Sequence, residues 1–134
     1  MITGSTGGDL EANWARDDPQ VVHRSAWPVY GGTGADISLT YFEIDPGTRI
    51  GAHVHDASET ILVLDGAARA SVAGEEQSVT AGTIVHVPEG ARHDVANESD
   101  GVLRLVGFFP RPEVVTVFEQ VQMPDGTTQL GTPD

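Results

Sequence analysis

The sequence predicts an all-β barrel or sandwich, on three observations. Short β-rich runs recur from residue 37 to residue 109, glycine-bearing turns separate them, and no stretch of this core has helical period. The first clear strand is Ile37 to Ile44. It ends at Asp45-Pro46-Gly47, a turn in which proline presets φ and glycine admits positive φ. Strands follow at Arg49 to His55, Glu59 to Leu64, Ala67 to Val72, Gln77 to Thr80, Thr83 to Val87, His93 to Asn97 and Val102 to Phe109. Asp65-Gly66, Gly74-Glu75, Ala81-Gly82, Glu89-Gly90 and Asp100-Gly101 supply the connections.

The two ends read differently. Residues 1–20 combine glycines with acids and give no periodic face, so a mobile arm is expected. Val21 to His23 and Ala26 to Tyr30 have strand composition. Pro28 lacks the N–H a ladder needs, which places this segment at an edge or a subunit contact. Beyond Pro110 and Pro112, Glu113 to Val121 reads as a further strand, and residues 122–134 read as a polar, flexible tail. The expected organisation is thus an arm (1–20), one β domain (21–121, core 37–110) and a tail (122–134).

At 134 residues the chain suits one barrel core and leaves no room for a separate cofactor domain. Twenty acidic residues against seven basic ones give a formal charge of -13, a surface that repels nucleic acid and anionic membranes. No apolar run approaches the roughly 18 residues of a membrane helix, and the first residues lack a signal-peptide pattern, so a cytoplasmic location is expected. Cysteine is absent, which removes disulfides, thiolate catalysis and thiolate metal sites. A metal here must be held by nitrogen and oxygen.

Such ligands are present. On an extended segment His53 and His55 project to the same face while Val54 points away. Asp56-Ala57-Ser58 is turn-like, and Glu59 opens the next apolar run, which returns a carboxylate toward the histidine pair. Later, Gly82 to Val87 is a β-rich run ended by Pro88-Glu89-Gly90, and His93 begins the returning strand.

The spacing carries a resemblance. From Gly47 the chain reads glycine, five residues, His53, one, His55, three, Glu59, six, Gly66. From Gly82 it reads glycine, five residues, Pro88, one, Gly90, two, His93, three, Asn97. Both halves resemble the signature motifs of the cupin superfamily at all ten positions, with 15 residues between them, as in a small single-domain cupin. The resemblance implies a double-stranded β-helix (jelly-roll) barrel. It also implies one metal held by His53, His55, Glu59 and His93, and a homodimer in which terminal strands meet a second subunit.

Three imidazoles and one carboxylate suit Fe, Mn, Ni, Co or Zn, and an octahedral ion would keep two positions open. A closed structural zinc site usually recruits cysteine, which this chain lacks. Similarity to small cupins also suggests inward sets of Ser38, Thr40 and Phe42 on one strand, and of Leu103, Leu105, Gly107 and Phe109 on another. Period two from Glu59 adds Ile61 and Val63. The expected substrate-lining residues are Thr40, Phe42, Arg49, Val63, Leu105 and Gly107, with Arg49 at the cavity mouth. Arg104 points outward, and His86 reads as a surface or subunit-contact residue.

The function expected is a metal-dependent enzyme for a small organic molecule, a non-haem iron-type dioxygenase or related oxidoreductase. Non-redox isomerase, cyclase, lyase or decarboxylase chemistry is the alternative. A cupin that binds a small molecule without turning it over is a second class, and a purely structural protein the third.

Overall fold

Two long antiparallel ladders frame the fold. In the computed structural model, which describes residues 8–134, β3 (Ser38–Ile44) pairs along its whole length with β10 (Leu103–Phe109), from Ile44 opposite Leu103 to Ser38 opposite Phe109. The other edge of β10 pairs with β5 (Glu59–Asp65), which carries β8 (Ile84–Val87) beyond it. The alternation of β5 buries Glu59, Ile61 and Val63 and exposes Thr60 and Leu64. One carboxylate is thereby delivered to the interior.

On the other side β4 (His53–His55) lies between β9 (His93–Ala96) and β11 (Val115–Met123). β6 (Ala67–Val72) joins β9 to β7 (Glu75–Thr80). β1 (Glu11–Ala15) and β2 (Asp18–Val29) link β11 to β3, and β12 (Thr127–Gly131) also pairs with β11, at Val115 to Val117 and at Gln122. The continuous sheet curls into a jelly-roll β fold, as the sequence implied. Among the described residues, no helix is long and apolar enough to cross a membrane.

The core packs Ile44, Ile50, Ile61, Val63, Leu103, Leu105 and Phe118 between the curled faces. Burying such a side chain stabilises the fold by about 1.5–3 kcal/mol. Asn97, the last motif residue, is a structural tie. Its amide donates to the carbonyls of Ile44 and Gly101 at 2.9 and 2.7 Å, and its side-chain oxygen accepts from the Ser99 N–H at 2.9 Å.

Several expectations need correction. Residues 11–20 are not a free arm: they form β1 and the start of β2, because β11 and β3 offer open edges that this segment completes. Residues 1–7 of the expected arm lie outside the described residues. Within the expected tail, residues 127–131 form β12 against β11. β2 is an interior strand, yet Pro28 costs no ladder bond. It falls beyond the last pair with β1 and inside a register shift against β3, between Ala26 and Val29. The strand expected from Arg49 shrinks to His53–His55, with Arg49 making only isolated bridges.

Candidate metal centre

Three strands, β4 and β5 consecutive in the chain and β9 about 30 residues on, place the four motif side chains at one buried point. His53 and His93 face each other as a cross-strand pair of β4 and β9, and His55 follows His53 at period two. One ring nitrogen from each histidine lies within 4.8 Å of the others, and all three side chains are buried. Glu59 reaches the cluster from β5: its Oε1 lies 3.2 Å from His93 Nε2 and 3.3 Å from His55 Nε2.

The far side of each ring is already engaged. His53 Nδ1 bonds the Gly51 carbonyl at 2.6 Å, His93 Nδ1 the Ala91 carbonyl at 2.9 Å, and His55 Nδ1 the Thr116 hydroxyl at 2.8 Å. A carbonyl can only accept, so His53 and His93 carry their hydrogen on Nδ1 and turn Nε2 lone pairs inward. Asp94 braces this arrangement, since its Oδ1 accepts from the N–H of Gly51, whose own carbonyl orients His53. Burial raises the Asp94 pKa, against the Gly51 hydrogen bond and the Arg49 charge.

The fit to a cation follows from the lone pairs. The His93 Nε2 lone pair and a Glu59 carboxylate oxygen, 3.2 Å apart and away from water, repel unless positive charge stands between or beside them. Burial pushes the Glu59 pKa up, but the hydrogen bonds and charges of His55 and His93 outweigh it and hold the carboxyl at about 2. Burial, with the neighbouring His93 and His55, keeps His53 well below the usual imidazole range. Neutral imidazoles and an ionised carboxylate are the forms a metal ion requires.

The site lies between two spaces. Outward, His53 and His55 line a cavity of about 870 Å³, shared with Trp27, Phe42, Phe109 and Phe118. Inward, His53, Glu59 and His93 border a niche of about 10 Å³ walled by Phe42, Ile50, Ile61, Val95 and Leu105. That is room for about one water-sized molecule.

Among the expected lining residues, Thr40 and Phe42 reach the outer cavity, and Phe42, Leu105 and Gly107 the inner niche. Thr40 spends its hydroxyl on the Ala26 carbonyl at 3.2 Å. Gly107 makes room: a Cβ there would run into Glu59 Oε2. Val63 sits in the core cluster, behind the cavity wall. Arg49 is not at the cavity mouth, because Asp18 and Asp94 hold its guanidinium at 3.1 and 3.8 Å on the outer face. Arg104 turns outward to the Tyr41 hydroxyl at 2.7 Å, and His86 is exposed on β8.

Sequence reasoning missed Thr116, Phe118 and His23. Thr116 and Phe118 stand opposite His55 and His53 across β11 and β4, and Phe118 packs on the His53 ring at 4.9 Å. His23 stacks on the other side of Phe118 at 5.9 Å. Only the period-two burial of β11 hinted at the first two, and nothing local marked His23.

Residues 40–109 match the family model described as a Cupin domain, 70 of the 134 residues and so more than half. The chain belongs to the cupin family. Among solved structures it is similar to the polyketide cyclase RemF from Streptomyces resistomycificus, at 24% identity and TM-score 0.65, covering 85% of this chain and 84% of that one. A Thermotoga maritima protein assigned by inference as an oxalate decarboxylase is similar at 17% identity and TM-score 0.69, covering 81% and 97%. Bacillus subtilis oxalate decarboxylase, whose centres hold Mn(II), is similar at 20% identity and TM-score 0.64, covering 79% of this chain. The chain spans about a third of that enzyme, 30% of its length. At these identities the likeness concerns the fold. No curated protein sequence is matched.

Proposed function

We propose that this chain is a metal-dependent enzyme acting on a small organic molecule bound in the outer cavity. His53, His55, Glu59 and His93 hold one divalent transition metal, Fe, Mn, Ni, Co or Zn. The observation that carries the reading is the placement of four nitrogen and oxygen ligands at a buried point with a cavity of about 870 Å³ reaching two of them. A metal so held supplies open coordination positions and Lewis acidity. Around it the chain orients three rings by their Nδ1 hydrogen bonds, and Gly107 leaves the space that Glu59 occupies. Phe42, Phe109 and Phe118 keep water from the ligand rings.

Within this reading we take dioxygenase-type iron chemistry first, supported by the apolar niche beside His53, Glu59 and His93. Oxygen uptake coupled to loss of an aromatic or ketone compound by the iron-loaded protein tests it. Turnover that proceeds without oxygen moves the reaction to metal-assisted isomerase, cyclase, lyase or decarboxylase chemistry. Recovery of every bound compound unchanged, with and without metal, makes the protein a binding module. A homodimer is also proposed, supported by exposed Leu64, Ile84 and Phe108 on three adjacent strands. Light scattering after gel filtration decides it.

A further inference from the structure

The cavity wall carries a polarity that narrows the ligand. At its mouth stand the carboxylates of Asp9, Glu11, Glu113 and Asp125, with Asp56 beside them. Among the described residues Arg111 is the one cation in this wall, and it is taken. Asp56 holds its guanidinium at 3.4 Å, and the Asp56 carbonyl accepts from Nη1 at 2.9 Å. An anion entering here loses water and meets like charge without a counter-ion.

Deeper in, a second observation points the same way. His23 lines the cavity, is 3% exposed, and its Nδ1 has no hydrogen-bond partner. The backbone of Ile50 beside the ring favours its charged form, and Nδ1 is the buried ring nitrogen left without a partner. In the neutral ring one nitrogen is an acceptor. Burial keeps the ring neutral, with a pKa of about 4 despite Ile50. The hydroxyl of Thr40 donates to a main-chain carbonyl, so it adds no free donor to the wall. Between mouth and floor the surface is aromatic: Trp27 on Phe109 at 5.7 Å, and Phe42 beside His23 at 5.3 Å.

We propose that the cavity takes a flat, neutral or cationic aromatic compound bearing O–H or N–H donors, of the phenol, benzyl alcohol or benzylamine type, and rejects carboxylates and phosphates. The rings supply stacking and cation–π contact, and the acceptors receive the donors. This deepens the enzyme reading and rests on it only for which end of the molecule faces the metal.

The test uses the whole protein and a matched series of benzylamine, benzyl alcohol, benzoate and phenyl phosphate at low salt. Saturation-transfer NMR ranks their affinities without metal. Proton relaxation by manganese-loaded protein then reports which bound compounds approach the centre. Benzylamine and benzyl alcohol are expected to bind about tenfold or more tighter than benzoate or phenyl phosphate. Glu11→Gln, Glu113→Gln and Asp125→Asn combined should narrow that gap several-fold. In a second pair, phenol should bind tighter than anisole in the unaltered protein, and His23→Leu should remove that preference. Equal or tighter binding of the anions, an unchanged gap in the rim variant, or no binding by any of the four overturns the proposal. Failure to take up manganese or any other divalent transition metal, with the affinity ranking intact, overturns the metal reading alone.

Discussion

The metal end of the molecule and its outer cavity differ in where they come from. All four proposed ligand residues lie within residues 53–93, on β4, β5 and β9, framed by turns that the same stretch encodes. The cavity above them is walled largely by the terminal segments: β1 and β2 at one end of the chain, β11 and β12 at the other. The first is built by short-range spacing in strands, the second by strands that meet only after the sheet has curled. Chemistry and selectivity are thereby separable in this fold, and substitutions should divide along that line.

The largest effect should come from removing space at the metal end. Gly107→Ala pushes a methyl group into Glu59 Oε2, so the carboxylate must swing away. Metal affinity is expected to fall by more than the roughly 100-fold upper limit for loss of a supporting contact. Stability should drop by about 1–3 kcal/mol in chemical denaturation of the metal-free protein, as for other overpacked interiors.

A smaller loss should follow from Thr116→Val, which keeps the shape of a β11 residue and deletes the 2.8 Å bond to His55 Nδ1. Loss of such a supporting contact lowers metal affinity about 10–100-fold. Competition with a chelator measures it, with the sheet intact by circular dichroism. If affinity is unchanged, the terminal strand contributes nothing to the centre, and the division between the two regions is cleaner than drawn.

Acid should titrate groups of both regions, with the same sign. The folded His23 ring, at about 4, binds its proton later than an unfolded imidazole near 6.5. Metal-free protein is therefore fully stable with respect to His23 above about pH 6.5 and loses stability as pH falls toward 4. The slope is at most about 1.4 kcal/mol per pH unit for one group. His53, depressed by burial, adds to the same limb. Glu59 acts in the same sense in a lower window: its contribution is complete above about 4.5 and is lost as pH falls from there through about 2. Urea midpoints between pH 7 and 4 should show a shallower decline for His23→Leu than for the unaltered chain.

The smallest effect should come from Arg49→Gln. Its ion pairs with Asp18 and Asp94 are partly exposed, and such pairs contribute about 0–1 kcal/mol. Metal content and the ranking of cavity probes should not change. A shift in the ranking would return Arg49 to the cavity mouth.

The same division explains what could be read in advance. His53, His55, Glu59 and His93 were legible because period two and a turn of fixed length determine which side chains share a face. Ile61 and Val63 followed by the same parity and are buried. Thr116 and Phe118 were not, since their meaning depends on β11 lying beside β4, a pairing across about 60 residues of chain. His23 was opaque for the same reason. The acidic start of the chain looked like a solvated arm because its pairing partners, β11 and the far end of β2, are invisible to local periodicity. Arg49 failed on reach, because two carboxylates outside the cavity capture it first.

The central claim is that His53, His55, Glu59 and His93 hold one metal ion at the inner end of the cavity. Elemental analysis of protein purified without chelator or metal-affinity resin tests it most directly, alongside His93→Ala. The account predicts about one transition-metal ion per chain in the unaltered protein and a near-complete loss in the variant. No uptake under any loading condition, or equal metal in both proteins, would contradict it.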